Sequence, residues 1–137
     1  MIRKATFNDI EQIEDIYNEH FKHEIEYKAF TVFKKGIYPT RKDAERAISV
    51  GVLYVYEKAG SIAGSIIIDN VQPTEYAGII WGQTLIDDEV MVIHLLIVRP
   101  SMAGNGITSS LMRHAMGKGK KKFFFLWKWQ RIILVKY

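Results

Sequence analysis

Gly104 and Gly106 sit in a short loop, residues 101–108, between a long apolar run and a helical pattern. Glycine lets the backbone adopt positive φ and come close to a ligand. The free N–H groups at a helix start, with the helix dipole behind them, favour an anion. Strand, glycine loop and helix start in that order read as a pyrophosphate cradle or as a tight turn into a helix. Two better-defined phosphate motifs are excluded. A dinucleotide fingerprint would need a third glycine and a following acidic residue. A Walker A loop would need a closing Gly-Lys-Ser/Thr. Other chemistry is sparse. Without cysteine there are no disulfides and no thiolate metal ligands. His20 and His23 flank Phe21 and have no third ligand at metal-site spacing. No Gly-x-Ser-x-Gly elbow supports serine hydrolysis.

The elements that must position this loop follow from periodicity. Residues 1–6 read as a first strand. Asn8, with Glu11 three residues on, reads as a helix cap, and Ile10, Ile13, Ile16 and Tyr17 form an apolar face from Asp9 to about His20. Residues 21–38 have no clean period and read as a loop or broken helix. Thr40 with Asp43 gives a second cap, and Ala44, Ala47 and Ile48 line a helix ending near Gly51. Residues 52–57 and 62–69 read as a hairpin. Val90–Val98 is almost continuously apolar, as a strand buried on both faces is. Pro100 stops it. Ile107, Leu111, Met112 and Ala115 then recur at helical spacing up to about 117–119.

Length and composition bound the rest. The chain has 137 residues, 48% hydrophobic and 25% charged, which fits one globular domain and excludes wholesale disorder. No apolar run approaches the roughly 20 residues of a membrane span. The first residues do not read as a signal peptide, and a cytoplasmic location is the expectation. All 15 carboxylates lie at or before Glu89, whereas residues 90–137 hold nine basic groups. Seven of these nine fall in residues 118–137, and without that segment the net charge drops from +4 to −3.

Ile93-His94-Leu95-Leu96-Ile97-Val98-Arg99-Pro100, followed by Ser101-Met102-Ala103-Gly104-Asn105-Gly106-Ile107, resembles the acyl-CoA-binding segment of the GNAT superfamily of N-acetyltransferases. The order of the preceding elements is similar too, so the resemblance covers residues 1–117. It implies an α/β (α+β) fold with a mixed, mostly antiparallel sheet flanked by helices, its C-terminal part incomplete. It also implies acetyl-CoA as co-substrate and no metal. By position, the backbone of Leu96, Ile97 and Val98 would pair with the pantetheine arm and polarise the thioester. Ala103, Gly104, Asn105, Gly106, Ile107, Thr108 and Ser109 would hold the pyrophosphate. Ala103 and Thr108 depart from the family pattern, the first by lacking a polar side chain and the second by its β-branch. Binding in the micromolar range or weaker is the expectation. Arg99 and Arg113 suit a polyphosphate.

The reaction so implied is direct attack of a primary amine, from a small molecule or a peptide, on the thioester. The protein must orient both partners and accept a proton. Glu89 and His94 are the candidates. Glu89 also reads as a solvated carboxylate, or as part of an Asp87-Asp88-Glu89 attraction for a cationic amine. His94 also reads as a packed core histidine. Trp81 and Tyr76 are candidates for the acceptor pocket or for aromatic packing.

Residues 118–137 do not continue the family pattern. They read as an atypical basic and aromatic tail, with residues 123–129 suited to a final strand of the same domain and 132–135 to a short β-prone run. No helix carrying the family's sulfur-protonating Tyr follows, which reads as a truncated or frame-shifted member. Two alternatives stay open. One is a catalytically impaired CoA-binding remnant. The other is a binding module that uses Lys and Arg interleaved with Phe and Trp, although no specific nucleic-acid partner is expected. An incomplete sheet would also leave an edge for a second copy.

Overall fold

The computed structural model describes residues 1–28, 33–69, 79–80, 83–84, 90–117, 123–128 and 131–136. In chain order these form β1 (Ile2–Lys4), α1 (Ile10–Tyr27), α2 (Arg41–Ser49), β2 (Leu53–Lys58), β3 (Ser61–Asp69), β4 (Ile79–Ile80), β5 (Gln83–Thr84), β6 (Val90–Val98), α3 (Ile107–Met116), β7 (Phe123–Lys128) and β8 (Arg131–Lys136). β4 and β5 make a separate small hairpin. The remaining strands form one sheet in the order β1-β2-β3-β6-β7-β8. Every pairing in it is antiparallel except β6 with β7. The mixed, mostly antiparallel sheet flanked by helices agrees with the sequence expectation. Among the described residues no helix is long and apolar enough to cross a membrane.

Helices cover both faces of the sheet, which is why its central strands are apolar at consecutive positions. On one face Ile10, Ile13, Ile16 and Tyr17 of α1 and Ala44, Ala47 and Ile48 of α2 bury Leu53, Val55, Ile62, Ile67, Leu95 and Ile97. On the other, Ile107, Leu111 and Ala115 of α3 bury Tyr54, Ala63, Ile66, Ile68 and Ile93. Gly64 leaves room for α3 to pack on β3. A Cβ there would lie 3.1 Å from the Ile97 carbonyl oxygen and 3.2–3.3 Å from the side chains of Ile107 and Leu111.

Two helix boundaries differ from the sequence reading. A 3-10 turn over Phe7–Asp9, capped by Thr6, precedes α1, whose own N-cap is Asp9 and not Asn8. Asp9 Oδ2 accepts from the Thr6 amide at 2.8 Å, while Glu11 is spent on Arg41 at 2.8 Å. α1 also runs through to Tyr27, beyond the expected end near His20, because Phe21 continues its buried stripe and a buried Glu24 meets His20 Nε2 at 2.7 Å. The α2 cap is as read: Thr40 donates its amide and hydroxyl to Asp43 Oδ2 at 2.8 and 2.9 Å.

Asp9 is buried and forms a bidentate pair with Arg3, at 2.8 and 2.9 Å. The Arg3 guanidinium holds the Asp9 carboxyl below its ordinary value, against the opposing effect of burial, with help from Thr6. A depressed folded value means that this stabilisation is full above the unfolded value of about pH 4 and is lost as pH falls through the folded one. Melts at about pH 6 and about pH 3 should therefore show a loss for the parent and a smaller further loss for Asp9→Asn. An equal acid sensitivity in both would remove the pair from the account.

Candidate functional site

The site begins where two parallel strands part. β6 and β7 are in register from Val90 with Phe123 to Ile93 with Leu126. Beyond that point β7 continues against β8 only, and β6 continues against β3 only. The cause is a bulge. Ile67 pairs with Leu95 and Ile68 with Ile93, so His94 is the extra residue of β6. A bulge bends its strand and increases the local twist. Residues 94–98 are thereby left without a β7 partner over roughly 16 Å of extended backbone. Leu96, Ile97 and Val98 all lie on this stretch.

The strand leads through Arg99 into a 3-10 turn, Pro100–Met102, and then into the glycine loop. Gly104 (φ 87°) and Gly106 (φ 75°) both take the left-handed conformation that side chains disfavour. Gly106 caps α3 with no side-chain acceptor, and the first helical bond runs from the Ser110 amide to its carbonyl. The amides of Ile107, Thr108 and Ser109 therefore precede the intrahelical ladder. Ala103, Gly104, Asn105, Gly106, Thr108 and Ser109 are exposed, whereas the buried Ile107 pins the helix start to the core. α2, by contrast, closes its own start with Thr40 and Asp43. The open α3 start, the left-handed glycines and the parted strands fit a long ligand with an anionic end.

His94 also belongs to a cavity of about 240 Å³ on the α2 side of the sheet. Its Nε2 lies 2.7 Å from Asp69 Oδ1, at the end of β3. Tyr38, Asp43, Arg46, Ala47 and Val52 complete much of the wall. Burial, then the charges of Asp43 and Asp69, push the Tyr38 hydroxyl up to about 12, so it remains a neutral donor at physiological pH. Two carboxylates, one of them paired with Arg46 at 3.8 Å, an imidazole and a phenol in one small cavity suit a hydrogen-bonding guest.

The two proton-acceptor candidates fare differently. His94 lies at the junction of cavity and strand opening. Glu89 lies outside the described residues, as do Asp87, Asp88, Trp81 and Tyr76. Arg99 does not point freely at the loop: Nη1 donates to Glu19 Oε1 at 3.2 Å, and Nε and Nη2 to the Ile62 carbonyl at 3.4 and 3.3 Å. Arg113 is exposed on α3. Asp69, Tyr38 and Glu19 are the residues that sequence reasoning missed. Each is brought in by register or by contact across many residues, and no local spacing marks them.

The sequence from residue 10 to residue 129 matches the profile of the acetyltransferase (GNAT) family. The chain belongs to that family. Solved GNAT structures share its fold. A GNAT acetyltransferase of Streptococcus agalactiae 2603 aligns over 92% of this chain and 73% of its own, with a TM-score of 0.75 at 23% identity. A GNAT acetyltransferase of Brucella melitensis, in complex with acetyl-CoA, aligns over 92% and 73%, with a TM-score of 0.55 at 21% identity. The GNAT-like decarboxylase GphF, in complex with isobutyryl-CoA, aligns over 92% and 64%, with a TM-score of 0.65 at 14% identity. Among curated proteins none matches this sequence. The likeness to a decarboxylase shows that this GNAT fold alone does not fix the reaction, which has to be argued from the side chains.

Proposed function

We propose that this GNAT protein transfers the acetyl group of acetyl-CoA to a primary amine by direct attack. The observation that carries the reading is the double membership of His94. It is the bulged residue at which β6 leaves β7, and it also lines the cavity with Asp69, Tyr38 and Asp43. Acetyl-CoA supplies the activated acyl group. The backbone of Leu96, Ile97 and Val98 offers hydrogen bonds to its pantetheine arm, and the amides from Ala103 to Ser109 offer donors to its pyrophosphate.

The amine enters from the cavity side. Asp69 attracts it as an ammonium, since Asp43 is already paired with Arg46 at 3.8 Å. The ammonium gives one proton to water. A neutral His94, donating Nε2–H to Asp69, takes the second at Nδ1, directly or through a water, as the nitrogen attacks the thioester carbon. The C–S bond breaks and CoA leaves as a thiol with that proton. Asp69 fixes the ring and offsets the charge that then develops on it. The cavity's volume favours a small amine or a single amine-bearing side chain.

A thiol-release assay over a panel of small polyamines, amino sugars and lysine peptides tests this. Release that requires both acetyl-CoA and an amine, with the acetylated amine found by mass spectrometry, is the expected result. Tight acetyl-CoA binding with no amine-dependent release from any member would favour the impaired remnant instead.

A further inference from the structure

Glu19 lies off the apolar stripe of α1, where a carboxylate would ordinarily face water. It is instead directed at the loop eighty residues further along the chain. Its Oε2 accepts from the Ser101 amide at 2.7 Å, and its Oε1 from Arg99 Nη1 at 3.2 Å. Burial pushes the Glu19 carboxyl up, but the Ser101 amide and hydroxyl and the Arg99 guanidinium together outweigh it and leave the group below its ordinary value. Arg99 is held from its other side by the Ile62 carbonyl, and its own amide donates to the Ala63 carbonyl at 2.8 Å. The Met102 amide then bonds the Arg99 carbonyl at 2.8 Å, and Asn105 Nδ2 bonds the Met102 carbonyl at 2.9 Å, next to Gly106. An unbroken series of hydrogen bonds thus runs from β3 and α1 into the glycine loop. Glu19 is the α1 member of it.

A lone carboxylate beside a polyphosphate-binding loop would oppose the ligand. Here Arg99 offsets that charge, so Glu19 can act through geometry. We propose that Glu19 is a positioning residue for the phosphate end of acyl-CoA: it fixes the Arg99 side chain and the Ser101 amide, and so holds the Gly104–Gly106 backbone ready for the ligand. This rests on the acyl-CoA reading above. It also gives Arg99 a structural duty in place of direct phosphate contact.

The test compares the parent with Glu19→Gln, which keeps the shape but removes the charge. Three probes are titrated: CoA, adenosine 3′,5′-bisphosphate, and S-acetylpantetheine, which has the thioester arm without the phosphates. E19Q should weaken CoA and the bisphosphate by about tenfold, since charge-assisted bonds are lost. The KM for acetyl-CoA should rise by the same factor, with kcat at saturation falling far less. S-acetylpantetheine should shift by less than about twofold. Glu19→Asp, charged but one methylene shorter, should fall between the two, and it replaces E19Q should that variant fail to fold. CoA affinity in the variant within about twofold of the parent overturns the proposal. So does an equal loss with S-acetylpantetheine, which would mark a merely structural role. A parent that binds no CoA overturns the acyl-CoA reading itself, an outcome distinct from either.

Discussion

His94→Ala is expected to lower kcat for amine acetylation by about 10²–10⁴-fold, the range for loss of a positioned general base. Acetyl-CoA affinity should stay within about twofold, because the strand backbone and the loop amides proposed to bind it do not depend on the imidazole. Asp69→Asn should cost a comparable amount, up to about 10⁴-fold, because the amide no longer offsets the ring's charge and can hold the tautomer that carries its proton on Nδ1. Stopped assays at saturating acetyl-CoA, together with a calorimetric titration of each variant, separate the two quantities. An H94A variant with parental kcat would take the proton acceptor away from His94 and return attention to Glu89.

Leu111→Ala carries the largest expected effect on stability. Leu111 is fully buried in α3, and its side chain would lie 3.3 Å from a Cβ placed at Gly64 of β3. Truncating a buried leucine removes its transfer free energy and leaves a cavity, together about 2–5 kcal/mol. For a domain of this size that lowers the melting temperature by about 10 °C. α3 also carries the loop and the first amides of the proposed phosphate site. CoA affinity should therefore fall in L111A even where the protein is still folded, and thermal melts with and without CoA read both effects. A melting temperature within about 2 °C of the parent would mean that α3 is not docked as described.

Much of the fold was legible in the sequence because its signals are local. The spacing of Ile10, Ile13, Ile16 and Tyr17 identifies α1, Thr40 with Asp43 identifies the start of α2, and the apolar run up to Val98 marks the strand buried on both faces. The glycine loop and helix start were equally plain, since Gly104 and Gly106 stand where the backbone turns left-handed. Less of the candidate site could be read. His94 was visible as a residue but not as a bulge, because a bulge is a property of two strands in register. Asp69 meets it only through that register. Tyr38 reaches the cavity from the segment after α1, for which periodicity gave no guide. No local signal marks Glu19, and only the fold reveals the loop beside it. The cap expected at Asn8 failed for a related reason: a 3-10 turn ahead of α1 lets Asp9 reach back to Thr6 and moves the helix start.

Two features meet at one residue, the strand opening on one side of His94 and the cavity on the other. A crystal structure of the protein with acetyl-CoA bound tests that junction most directly. The predicted result has the pantetheine arm along Leu96, Ile97 and Val98, the pyrophosphate on the amides between Ala103 and Ser109, and the thioester facing the cavity beside His94. Acetyl-CoA lodged elsewhere, or a thioester on the α3 side with His94 turned away from it, would contradict the account.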